Sequence, residues 1–143
     1  MGDFRKILCP VDFNPNSLAA LDLAKDVALK YQAKLYLLHV ARIPNPDMDA
    51  PVAIAPHPHW QRTAYDRLMR IARQKLAGLT YEVVVKEGIA KSGILEAINE
   101  LGIDLVVMAS HGRSGLTHFL LGSVAEEVVR SALCPVLVVK PNK

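Results

Sequence analysis

A repeated switch of hydrophobic period runs through this chain, from short β-rich apolar runs to longer stretches with helical spacing. Two of the short runs, Leu105-Val106-Val107-Met108 and Val136-Leu137-Val138-Val139, are apolar throughout. A strand wetted on one side alternates polar and apolar residues, whereas a continuous run belongs to a parallel strand covered on both faces. Strands are expected over Phe4 to Cys9, Leu35 to Val40, Tyr81 to Val85, Asp104 to Ala109 and Pro135 to Val139. Asn14-Pro15 supplies a helix start, a capping side chain followed by a ring suited to the first helical position. Beyond it Ala20, Leu21, Ala24, Val27, Ala28 and Tyr31 share one helical face, with Asp22, Lys25, Asp26 and Lys30 turned away. A second helix carries Ala64, Leu68, Ile71, Ala72 and Leu76 inward, a third Ile94, Ala97, Ile98 and Leu101, and a fourth begins near Ser123. Strands alternating with helices imply right-handed crossovers. The expectation is therefore an α/β fold: a single domain over 1–143, an open five-stranded parallel sheet in order 3-2-1-4-5, Rossmann-like, with helices on both faces.

Composition narrows the function. At 143 residues, 51% of them apolar and 22% charged, the chain can bury a sizeable core. A net charge of +3 falls well short of the basic face of a dedicated nucleic-acid binder, so no nucleic-acid partner is expected. No apolar run reaches the ~18–20 residues of a membrane span. The start, Met1 to Lys6, runs straight into a strand without the apolar core of a signal peptide. Cys9 ends its strand and Cys134 precedes its own, which puts them more than ~15 Å apart at about 3.3 Å per residue, too far to bridge. Free cysteines fit a reducing cytoplasm. Arg42 to His59 holds Pro44, Pro46, Pro51, Pro56 and Pro58 and reads as a loop, longer than the ~12–15 residues of passive connections.

Open parallel sheets bind ligands beyond the carboxyl ends of their strands, where the order reverses. In order 3-2-1-4-5 that reversal lies between strands 1 and 4, which release Pro10-Val11-Asp12 and Met108-Ala109-Ser110-His111-Gly112. The same stretch leads through Arg113 to Gly122-Ser123, the opening of the fourth helix. A helix N-terminus offers free N–H groups and about half a positive charge, which suits phosphate oxygens. Arg113 adds a charged fork, and the Asp12 carboxylate suits a ribose. Each residue also has a plain reading. Ser123 with Glu126 forms a capping box. Gly112 and Gly115 are ordinary turn residues, and Asp12 is a turn or cap residue.

The spacing resembles that of a known family. Gly112, nine further residues and Gly122-Ser123 match the pattern G-x2-G-x9-G-[ST] of ATP-binding universal stress proteins, with Val124-Ala125-Glu126 following. Leu8-Cys9-Pro10-Val11-Asp12, Leu38-His39-Val40 and Cys134-Pro135-Val136-Leu137-Val138-Val139 are similar to that family as well. One position departs: Ala109 stands where the pattern has its first glycine, which is harmless if only its N–H is needed and costly if φ is positive. The resemblance implies that Pro10, Val11, Asp12, Val40 and Met108 surround adenine and ribose. By the same resemblance Gly112, Arg113, Gly122, Ser123 and Val124 approach the phosphates, and Ala109 and His111 line the loop. It implies ATP as ligand, or AMP or ADP, with Mg²⁺ or Mn²⁺ on the phosphates. It also implies a homodimer through strand 135–139, an apolar edge whose unpaired backbone groups invite another strand. The function expected is that of a nucleotide-dependent sensor or regulator in a stress response, its downstream protein partner unspecified.

Other signals carry less. His57 and His59 lack a nearby Cys or acidic partner for a metal. His39 reads as a satisfied core residue and His118 as a turn residue. Arg62, Arg67, Arg70 and Arg73 decorate the outer face of the second helix. There is no Gly-Lys-Ser/Thr, no G-x-G-x-x-G and no catalytic triad, so any ATP hydrolysis is expected to be slow. Two other readings stay open: an interaction protein with a vestigial pocket, and a true enzyme acting on ATP.

Overall fold

A computed structural model of the chain describes residues 3–42, 60–110 and 121–140. Along the chain these form β1 (Lys6–Pro10), α1 (Pro15–Tyr31), β2 (Lys34–Arg42), α2 (Trp60–Lys75), β3 (Tyr81–Gly88), α3 (Ala90–Leu101), β4 (Leu105–Ala109), α4 (Ser123–Ser131) and β5 (Val136–Val139). The strands make one five-stranded sheet in order β3-β2-β1-β4-β5, every pair parallel. The expected topology is the observed one.

Alternation along the strands sorts side chains between two faces. Ile7, Cys9, Leu35, Leu37, Leu105 and Val107 meet Leu21, Ala24 and Ala28 of α1 and Leu68 and Ala72 of α2. Leu8, Tyr36, Leu38, Val106 and Met108 meet Ile94, Ala97 and Ile98 of α3 and Ala125 and Val128 of α4. Burying one such leucine or isoleucine stabilises the fold by about 1.5–3 kcal/mol. This two-sided burial is why β4 is apolar at every position and β1 and β2 are apolar through most of their length.

Local chemistry sets the ends. The Asn14 side chain accepts the Asn16 amide at 3.1 Å, with Pro15 at the first helical position, as its sequence predicts. Asp104 is not part of β4: its Oδ2 accepts the amides of Arg5 and Lys6, both at 2.9 Å, and pins the start of β1. Phe4 likewise leaves the strand to set its ring edge-on against Tyr31, centroids 5.1 Å apart. β3 continues past Val85 to Gly88 because its ladder with β2 runs on to Arg42.

Candidate functional site

The carboxyl ends of β1 and β4, flanked by the start of α4, open into a cleft of about 560 Å³. That is within the ~300–1,000 Å³ usual for small-molecule sites. Pro10, Val11 and Asp12 enter it from β1, Val40 from β2, Met108 and Ala109 from β4, and Gly122, Ser123 and Val124 from α4. His111, Gly112, Arg113, Gly115 and His118 lie outside the described residues, as do His57, His59 and the prolines between Arg42 and Trp60.

Gly122 is the N-cap of α4, with φ −64° and ψ 159°, and among the described residues no side chain caps the helix. Its amide donates to the Ser110 carbonyl at 2.8 Å, and its carbonyl accepts the Glu126 amide at 2.9 Å. The capping box suggested by Ser123 and Glu126 does not form, because Ser123 is already the first helical residue. The amides of Ser123, Val124 and Ala125 are left at the helix mouth without a partner among the described residues. Their dipoles favour an anion there.

Ala109 ends β4 in register with Val139 and is not among the residues of positive φ. Alanine therefore costs nothing in backbone strain at the place where the family pattern has glycine.

The β1–α1 turn is held tightly. Val11 donates to the Leu38 carbonyl at 2.7 Å. Asp12 Oδ1 accepts the Asn14 amide at 2.9 Å, and the Ser17 hydroxyl accepts the Asp12 amide at 3.3 Å. Asp12 is thus a turn residue and a cleft residue at once. Phe13 takes φ 66°, a conformation that bulky residues rarely adopt. Its ring lies 4.7 Å from that of His39, and the Arg67 guanidinium stacks over it at 3.8 Å. Arg67 is accordingly more than surface decoration.

Sequence reasoning passed over several cleft residues. His39 was legible only as a satisfied core group; half-buried, it donates from Nδ1 to the Val11 carbonyl at 2.8 Å and also borders the cleft. Ala90 and Ile94 of α3 and Arg42 at the end of β2 border it too. The apolar stripe of α3 named Ile94 as inward, but its nearness to the cleft depends on how α3 packs. Gly93 decides that: a Cβ there would lie 2.8 Å from Val40 Cγ2, so α3 rests directly on the wall of the cleft. Cys9, next to Pro10, is fully buried; burial, with Asp22 nearby, pushes its thiol far above the ordinary range and makes it a poor nucleophile.

The model of the "Universal stress protein family" matches residues 3–140. Universal stress protein A homolog 2 of Coxiella burnetii is 34% identical over 145 residues, covering 98% of this chain and 97% of that protein. The structure of MJ0577 of Methanocaldococcus jannaschii superimposes with TM-score 0.81 at 27% identity, over 99% of each chain. Two more distant structures share the fold. A universal stress protein in complex with cAMP has TM-score 0.73 and 23% identity, over 97% of this chain and 98% of that one. A family protein of Arabidopsis thaliana with AMP bound has TM-score 0.62 and 21% identity, over 96% and 92%.

Proposed function

This chain belongs to the universal stress protein family, and on that footing we propose that it binds an adenine nucleotide, ATP foremost, in the cleft between β1 and β4. The observation that carries the reading is the mouth of α4, where the amides of Ser123, Val124 and Ala125 have no partner among the described residues and stand at the same cleft as Asp12 and Val40. Amides there take the phosphates. Asp12 accepts from the ribose, and Val40 and Met108 border the base. The AMP and cAMP held by the two distant relatives support an adenine nucleotide as the class of ligand. Asp12 is the one carboxylate among the described cleft residues, so Mg²⁺ or Mn²⁺ arrives as the counter-ion of the phosphates. His111, Gly112 and Arg113 complete the site by analogy with the family pattern.

In this reading nucleotide occupancy is the signal and turnover is at most slow, so the protein acts as a sensor or regulator. It works as a homodimer joined along β5, where Leu137 is 38% exposed and Leu133, just before the strand, 91%. Titration with ATP and Mg²⁺ tests the site. Saturable binding is expected, with stabilisation of roughly 2.7 kcal/mol at a hundred times the dissociation constant. Gly122→Val abolishes both while leaving the fold intact, since the Gly122 backbone angles suit any residue. A wild-type chain that ignores millimolar ATP refutes the proposal.

A further inference from the structure

The cleft differs chemically from one side of the sheet to the other. Beside β4 lie the first amides of α4, which have no partner among the described residues. Beside β2, Leu38, Val40, Ile94 and Met108 form an apolar slot beneath α3. Arg42 stands at the outer lip of that slot. Alternation along β2 puts Leu38, Val40 and Arg42 on one face of the sheet, and all three line the cleft. The register partner of Arg42 on β3 is Gly88, which has no side chain to oppose it. Lys86, opposite Val40 on β3, is committed to Glu100 of α3 at 2.6 Å. Arg42 is exposed and has no hydrogen bond or ion pair among the described residues.

Distance decides what this cation meets. β2 and β4 flank β1 on opposite sides, so their backbones are about 10 Å apart at about 4.8 Å per strand spacing. An anion seated at α4 lies away from Arg42. The part of the ligand nearest the guanidinium is whatever fills the apolar slot. We infer that Arg42 is the base-recognition residue of this cleft, its guanidinium lying against the planar ring of a nucleobase held in the slot and screening it from water. This rests on the nucleotide reading above and extends it from the phosphate end to the base end. A guanidinium suits the task because it is planar and weakly hydrated and stacks on aromatic faces, whereas an ammonium is a compact, strongly hydrated charge.

Calorimetric titration of wild type, Arg42→Ala and Arg42→Lys with ATP and Mg²⁺, with adenosine, and with inorganic tripolyphosphate tests the assignment. Arg42→Ala is expected to weaken ATP and adenosine about fivefold each and to leave tripolyphosphate unchanged. Arg42→Lys recovers only part of that loss. Arg42 is exposed, so unchanged thermal midpoints verify that the variants are folded. Equal losses for ATP and tripolyphosphate with adenosine unaffected make Arg42 a phosphate contact and overturn the inference. Full recovery by lysine, or no loss with any probe, overturns it as well. A wild-type chain that binds neither ATP nor adenosine overturns the site itself, and that failure is seen before any variant is made.

Discussion

Burial on the α1 face of β1, with the Asp22 carboxylate nearby, makes the Cys9 thiol hold its proton more tightly in the fold than in the unfolded chain. That preference stabilises the fold fully below the ordinary thiol value of 9.0. Above it, only the unfolded chain ionises, and stability falls by about 1.4 kcal/mol per pH unit. Urea unfolding between pH 8 and pH 10.5 should therefore show a steeper loss for wild type than for Cys9→Ala. Parallel slopes would refute the assignment. Residues differ in how far their roles can be read without coordinates. Asp12 was ambiguous between turn and ligand, and its carboxylate position in the cleft with one oxygen on Asn14 shows why: the two roles use the same geometry. Ala109 could not be judged from its type, because only the ladder with Val139 reveals an ordinary extended backbone. Phe13 was invisible, since its positive φ goes with packing against His39 and Arg67, which come from distant parts of the chain.

The strands and helices themselves were legible because burial on two faces imposes a continuous apolar run on a strand and a stripe on a helix. Their ends were not. β1 begins at Lys6 because Phe4 has a better partner in Tyr31, and α4, which does begin at Ser123, takes Gly122 rather than that serine as its N-cap. The seat of α3 was equally unreadable, because it depends on one missing methyl group at Gly93. Gly93→Ala tests that seat. Alanine favours the helix by about 1 kcal/mol, and crowding a stiff valine costs about 1–3 kcal/mol. The net change in stability is therefore small, but Val40 is pushed toward the cleft. Affinity for ATP should fall severalfold while the thermal midpoint of the free protein moves by only a few degrees. An unchanged affinity would show that α3 withdraws instead.

For the sheet as a whole, the order 3-2-1-4-5, once assumed, puts its reversal between β1 and β4, and that reversal located the cleft before any motif was considered. What topology could not supply was the depth of the cleft or the residues of β2 and α3 that wall it. The same order leaves β5 as an edge, with Leu133 and Val129 exposed beside it. Leu133→Asp, at a position open to solvent in the single chain, should leave monomer stability unchanged while shifting sedimentation from dimer toward monomer on dilution. Identical sedimentation of the two proteins would rule out this face as the contact. The central place of β1 also matters during synthesis. Made first, it pairs early with β2, but its other flank stays bare until Leu105 and Val106 emerge and dock against Ile7 and Leu8. A nascent chain halted before that point carries a half-paired strand through the middle of its future core, the kind of exposed edge that invites aggregation.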